Sequence, residues 1–193
     1  MLLIYSENTT ARLQYTCKFI FEEILKMPFS ITTDLQSFAK DIGAKINYSY
    51  AELPGSYNIR PHLLLFEKGI TLQNIEQTRQ GAQTVLFKNE KGDHPFDIFS
   101  AIFYLLTRYE EYLPHEKDRF GRYAHENSVA YKNGFLNIPL VNVWIRDLAK
   151  KLVQQFPEMP VATTDFRFVP TYDIDMAWSY KEKGFLRNAA VFL

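Results

Sequence analysis

FDIFSAIFYLLTRYEEYL, residues 96–113, is the stretch on which the fold turns. Phe96, Ile98, Phe99, Ile102, Phe103, Tyr104, Leu105 and Leu106 cover nearly the whole circumference of its first half. A helix that is apolar all round is buried by neighbours on several sides. Thr107, Arg108, Glu110 and Glu111 interrupt the run, which makes it too short and too polar to span a bilayer. Asp93 offers a cap, Pro95 suits a first turn, and Asp97 places negative charge near the positive end of the helix dipole. Pro114 stops it. The stretch is therefore expected to be a central core helix against which a sheet packs.

Upstream of it, short strand and helix signals alternate. Leu2 to Tyr5 reads as a buried strand. Asn8, Thr9 and Thr10 are N-caps for a helix over residues 11–27, whose apolar face is Leu13, Cys17, Ile20, Phe21, Ile24 and Leu25. Pro28 closes it. Residues 29–33 read as a strand, Asp34 caps the helical turn LQSFAKDI, and residues 45–50 alternate with the period of a strand. His62-Leu63-Leu64-Leu65-Phe66 reads as an inner strand. Residues 71–79 fit helix or loop, and Val85 to Phe87 fit a short strand before the Asn89–Gly92 tip. Such alternation predicts an α/β domain with a mixed sheet, packed with helices around the buried helix at about 96–113.

Composition narrows the class further. Of 193 residues, 47% are hydrophobic and 16% aromatic, enough for a sizeable packed core. Lys plus Arg and Asp plus Glu both number 22, a balance that offers no support for a nucleic-acid or anionic-membrane partner. The single Cys17 excludes an intramolecular disulfide and a CxxC metal site, and its apolar setting reads as a small buried thiol. The first residues, MLLIYSENTT, lack the basic flank and long apolar run of a signal peptide, so the expected location is cytoplasmic.

Downstream of Pro114, residues 115–139 form a loop that is long for a compact domain. His115, Glu116, Asp118, His125 and Glu126 lie in it at a spacing that matches no standard metal site. Arg119 and Arg122 flank Phe120 and Gly121. Two guanidinium groups there can grip a carboxylate, phosphate or sugar, and can equally pair with Glu110 and Glu111 at the end of the core helix, the pairing favoured here. His115, Arg119 and Arg122 are thus candidates for an interdomain or ligand contact. A helix over residues 141–156 follows, then a Pro-rich run with the look of a linker. The last segment, FRFVPTYDIDMAW, changes character, with a strand running into Asp173 and Asp175. Two carboxylates at i and i+2 face opposite sides of an extended strand, but both reach one site where the strand ends and turns.

Thr171-Tyr172-Asp173-Ile174-Asp175, with Ala177, Tyr180, Lys183-Gly184 and Arg187 after it, resembles the first motif of the NodB-like polysaccharide deacetylases, a carbohydrate esterase family. Phe96-Asp97, Arg108-Tyr109-Glu110-Glu111, Asp118-Arg119-Phe120-Gly121-Arg122, Ser128, Pro139 and Trp144 are similar to an N-terminal domain of unknown function that precedes the catalytic domain in some bacterial members. The resemblance implies an α/β accessory domain over 1–160, and a linker plus the start of a truncated (β/α) barrel over 161–193. It implies Asp173 as general base and Asp175 as ligand to a divalent metal, zinc or similar, which polarises an acetyl carbonyl on a sugar and activates water. The family places its two Asp side by side, whereas here Ile174 intervenes. The two His that complete its metal site have no counterpart after His125.

Residues 1–193 alone are therefore expected to bind no metal and to lack deacetylase activity. By this reading the partner is the C-terminal catalytic domain of the same polypeptide, and carbohydrate is a substrate of the full-length form only. The alternative is a stand-alone α/β binding domain in which the Asp pair is a structural turn.

Overall fold

A computed structural model describes residues 1–75, 78–80, 83–160, 168–174, 181 and 184. The chain divides into two compact units, Met1–Ala162 and Thr163–Leu193.

The first unit is built on a four-stranded parallel sheet. Its strands are β1 (Leu2–Ser6), β2 (Phe29–Thr32), β3 (Lys45–Tyr48) and β4 (Tyr57–Asn58), in the spatial order β2-β1-β3-β4. Leu2 pairs with Phe29, Ile4 with Ile46 and Ile46 with Tyr57. The α/β class is as expected, although this sheet is parallel throughout. The antiparallel pair, β5 (Thr78–Gln80) and β6 (Gln83–Val85), forms a separate ribbon.

The chain leaves β1 toward β2 on one side and then crosses back to β3 on the other. Right-handed crossovers therefore put the two connecting helices on opposite faces of the sheet. One is α1 (Ala11–Cys17), where Thr10 Oγ1 accepts from the Leu13 N–H at 3.2 Å as the N-cap. The other is α2 (Leu35–Lys40), capped by Asp34, with Phe38 5.4 Å from the Tyr5 ring. The helix expected over residues 11–27 changes pitch. Residues Lys18–Ile24 form a π-helical continuation of α1, which ends at Lys26 in a left-handed conformation (φ 53°) before Pro28. β3 is buried along its whole length rather than alternating. Parallel strands covered on both faces behave this way. Its polar residues find partners, with Lys45 Nζ donating to the Phe38 and Asp41 carbonyls and Asn47 Nδ2 to Asn58 Oδ1.

The core helix is shorter than its apolar pattern. α3 covers Ile98–Leu106, and everything from Ile98 to Tyr104 is buried. Its cap is Asp97, not Asp93. Asp97 Oδ1 accepts from the backbone N–H groups of Phe99 and Ser100, whereas Asp93 Oδ2 accepts from the backbone and side-chain amides of Asn58. The helix stops before the acidic pair because Arg108 takes a left-handed conformation (φ 51°, ψ 45°), after which Tyr109–Tyr112 forms one 3-10 turn.

The expected strand at residues 62–66 is also a 3-10 turn, Leu63–Leu65. Its entry is set by Asp97, whose Oδ2 accepts from the His62 N–H at 2.6 Å. That bond pulls the chain off the sheet after Asn58. A glycine at 92 is needed nearby, because its φ is +93° and a Cβ would sit 2.9 Å from the Asn58 carbonyl oxygen. The long loop contains a 3-10 turn (His125–Asn127) and α4 (Val129–Lys132), before α5 (Leu140–Gln155) buries Trp144, Leu148 and Leu152 in the core. Among the described residues, no helix is long and apolar enough to cross a membrane.

Candidate functional site

In open parallel sheets, ligands bind outside the carboxyl ends of the strands where the strand order reverses. Here that place lies between β1 and β3, and the protein has filled it. The 3-10 turn Leu63–Leu65 is tied over it by Thr10 Oγ1, which donates to the Leu65 carbonyl at 2.6 Å. The Arg12 guanidinium donates to the carbonyls of Leu64 and Gly69 at 2.7 and 2.6 Å. Below them, Tyr48 donates to Asp97 Oδ2 at 2.8 Å, and its ring packs 5.0 Å from Phe99. Asp97 thus accepts four hydrogen bonds while fully buried. Burial pushes its carboxyl up, against the downward pull of those donors. Burial also pushes the Cys17 thiol far up, first by desolvation and then by the Asp97 charge, which makes it an inert core thiol.

Unsatisfied chemistry gathers at the other end of α3. Tyr104, Leu105, Arg108, Glu110, Tyr123 and Ser128 are among the residues lining a cleft of about 270 Å³. It exists because two local features bring remote residues together. The left-handed Arg108 turns the chain so that Glu110 faces back toward α4, where its Oε1 accepts the Val129 N–H at 2.7 Å. The Lys117–Tyr123 bridge then closes a hairpin, whose turn is held by Asp118 Oδ1 accepting from the N–H groups of Phe120 and Arg122. That hairpin delivers Tyr123 to the cleft.

Three polar groups in this cleft have spare capacity. The Tyr123 hydroxyl is shielded from solvent and has no hydrogen-bond partner. Tyr104 is only 4% exposed, and its rings partners are Phe87 and Tyr109; no hydrogen bond to its hydroxyl occurs among the described residues. Glu110 is half-buried, and the single hydrogen bond to its carboxylate is the one from Val129. Burial, followed by the Glu111 charge, pushes the Glu110 carboxyl up. Burial, followed by the charges of Glu110 and Glu111, pushes the Tyr123 phenol up to about 12. At Tyr123 the acidic charges outweigh the nearby cation: Arg108 pulls the phenol down less than Glu110 and Glu111 push it up, and the Arg108 guanidinium is itself paired with Glu111 at the rim. The Lys132 charge on α4 acts on Glu110 without forming an ion pair.

Of the residues singled out from sequence, Glu110, Glu111 and His125 line this cleft, whereas Arg119, Arg122 and His115 are not among its lining residues. Arg119 and Arg122 do not pair with Glu110 and Glu111. Both guanidinium groups lie over the exposed Phe120 ring, at 4.6 and 4.8 Å from its centre, and Arg122 reaches Asp118 at 3.4 Å. The short hairpin ties them to their own turn and keeps them from the helix end. His115 supports the cleft from behind, with its ring 4.9 Å from Tyr123 and its Nδ1 2.8 Å from the Leu113 carbonyl oxygen. His62 packs on Phe87, and His125 packs on Tyr131. His94 is a core residue whose Nδ1 lies 2.9 Å from the Tyr57 hydroxyl.

Asp173 is exposed, and Asp175 lies outside the described residues. No group of three or more His, Cys, Asp and Glu suited to a metal ion occurs among the described residues. From the sequence Tyr104 reads only as core, Glu110 as an ion-pair partner for Arg119 and Arg122, and Tyr123 as a loop residue, because nothing in the spacing of 104, 110 and 123 announces that a left-handed residue and a hairpin bring them to one cleft.

Comparison with known proteins gives one match. A family model described as a family of unknown function, DUF7033, covers residues 2–157, and the chain belongs to that family. Among curated proteins and solved structures, none matches.

Proposed function

We propose that this member of the family is a ligand-recognition module, not itself catalytic, standing before the catalytic domain of a carbohydrate deacetylase. The observation that carries the recognition role is the cleft at the end of α3, lined by the Tyr123 phenol, which has no hydrogen-bond partner among the described residues, by Tyr104 and by a carboxylate of spare capacity. A pocket with a few convergent polar groups and perturbed titrating residues is the default binding site in a protein of unknown activity. The deacetylase context rests on the resemblance of Thr171 to Asp175 and its neighbours to the NodB-like motif. It is supported by the first compact unit ending at Ala162, ahead of that motif.

In this reading Asp173 is the base and Asp175 a metal ligand of the full-length enzyme, with zinc or a similar ion supplied there. The test is acetate release from acetylated chito-oligosaccharides with added zinc. The expected result is no release by residues 1–193, and release by the polypeptide extended to include a His-x-x-x-His segment. Release by residues 1–193 above that of an Asp173→Ala variant would overturn it.

The second reading is a stand-alone α/β binding domain in which the Asp pair is a structural turn. Removing residues 163–193 separates the two. The accessory-domain reading expects an unchanged melting temperature, whereas a loss of several degrees would favour the single integrated domain.

A further inference from the structure

The cleft at the end of α3 has a definite chemical preference, which its walls specify. Its unfilled hydrogen-bonding capacity is mostly acceptor capacity. Glu110 uses one oxygen on the Val129 N–H and leaves the other without a donor. The Tyr104 and Tyr123 phenol oxygens add two more acceptors, each also able to donate. The nearest guanidinium, Arg108, is taken by Glu111. The apolar part of the walls is formed by the Tyr104 and Tyr123 rings, Leu105 and Leu136, with His125 and Ser128 completing the lining beside the rim pair.

We propose that this cleft binds a small organic cation, a primary ammonium group held by the Glu110 carboxylate and the Tyr104 and Tyr123 oxygens. An ammonium group carries three N–H donors and one positive charge. That suits the unpartnered Tyr123 oxygen, the second Glu110 oxygen and the Tyr104 oxygen, and a carboxylate without a close ion pair among the described residues. Aromatic walls favour such a cation further, through the negative face of each ring. An anion is excluded by Glu110 itself, and a neutral polyol leaves the carboxylate charge uncompensated.

The size also fits. A space of about 270 Å³ lies just below the usual range of small-molecule sites, which starts at about 300 Å³, and so admits a single ring or a short chain. The ligand replaces no existing ion pair, because Arg108 and Glu111 keep theirs at the rim. It also fills the position that leaves the Tyr123 hydroxyl without a partner. The inference stands on the cleft alone and does not need the deacetylase context. If that context holds, an amino sugar is the natural form of the ligand, since hydrolysis of an N-acetyl group leaves a primary amine.

Titration of residues 1–193 with n-butylammonium, D-glucosamine and D-glucose, followed by NMR of the tyrosine rings, tests it. Tyr104→Phe and Tyr123→Phe variants assign the signals. Glu110→Gln keeps an oxygen for the Val129 N–H, removes the charge and turns the second acceptor into an N–H donor. The expected result is a saturable shift of the Tyr104 and Tyr123 signals with both ammonium probes, at least tenfold weaker in Glu110→Gln, and none with glucose. A response to glucosamine alone also supports the proposal and narrows the ligand to an amino sugar. Glucose acting as strongly as glucosamine, an unaltered affinity in Glu110→Gln, or no shift with any probe at tens of millimolar would overturn it. None of these outcomes depends on acetate release, so the proposal and the deacetylase reading fail separately.

Discussion

The two ends of α3 lie in one core and are finished in opposite ways. At its N-terminus Asp97 accepts four hydrogen bonds, and Arg12 and Thr10 satisfy the carbonyls of the turn above. At its C-terminus an arginine is held in a left-handed conformation, and a shielded phenol has no partner. The first end is where a parallel sheet of this order normally opens to a ligand, and here it is plugged. The N-terminal end carries the fold, although Ser100 Oγ and His94 Nε2 there are buried without a hydrogen-bond partner among the described residues; the C-terminal end sets a left-handed Arg108 beside a cleft that holds the shielded Tyr123 phenol.

The contrast is broken most severely at Asp97. Asp97→Ala strips an acceptor from three backbone N–H groups and the Tyr48 hydroxyl, all within the core. Each buried group left unsatisfied costs about 1–3 kcal/mol, and the lost helix cap adds about 1 kcal/mol. Partial rearrangement offsets some of this, so the expected loss is about 5 kcal/mol, read as a lowered urea midpoint. A loss near that of an exposed cap, about 1 kcal/mol, would show that the closed end does not depend on this carboxylate.

A second test uses pH. His94 is buried beside Tyr57 and Phe96, and burial, followed by the Lys151 charge, pushes its imidazole down to about 3 from 6.5. The unfolded chain takes up this proton below about pH 6.5 and the folded one only near pH 3. Stability is therefore fully present above 6.5 and is lost as pH falls toward 3. The span corresponds to up to about 5 kcal/mol at the acid end. Denaturant unfolding from pH 7 to 4 should show this slope in the natural sequence, and a shallower one in His94→Gln.

At the open end the expected effects are smaller and reversed in sign. Arg108→Gly removes a left-handed conformation that costs a non-glycine residue about 1–2 kcal/mol, while losing a rim ion pair and gaining freedom in the unfolded chain. The net expectation is a gain of about 0.5–1 kcal/mol in thermal stability. Tyr123→Phe removes an unpartnered hydroxyl and should leave stability unchanged or raise it by about 0.5 kcal/mol. A clear loss in either variant would mean that the open end is structural after all.

Much of the closed end could be read in the chain. The apolar circumference of Ile98 to Tyr104 shows a buried helix, and Thr10 and Asp34 act as the caps their positions suggest. The β1, β2 and β3 strands fall where local apolar patterning puts them. What was not legible depends on distant partners. Residues 62–66 are apolar enough for a strand, but the Asp97 carboxylate, 35 residues away, turns them into a 3-10 bend. The pairing of Arg119 and Arg122 with the acids of α3 is plausible from charge alone, and fails because Asp118 folds the hairpin back on Phe120. The cleft was invisible for the same reason. It depends on one backbone conformation at Arg108 that no local pattern signals, and on a turn that carries Tyr123 across to Tyr104.

The division between the two ends meets its most direct test in one melting experiment. Residues 1–193 and their Tyr104→Phe/Tyr123→Phe variant are compared with and without n-butylammonium. A ligand that binds only the folded state raises the melting temperature in proportion to its occupancy. The account predicts that the variant, without ligand, melts no lower than the natural sequence, and that the amine raises the melting temperature of the natural sequence alone. A variant that melts several degrees lower, or an amine that moves both proteins equally, would contradict it.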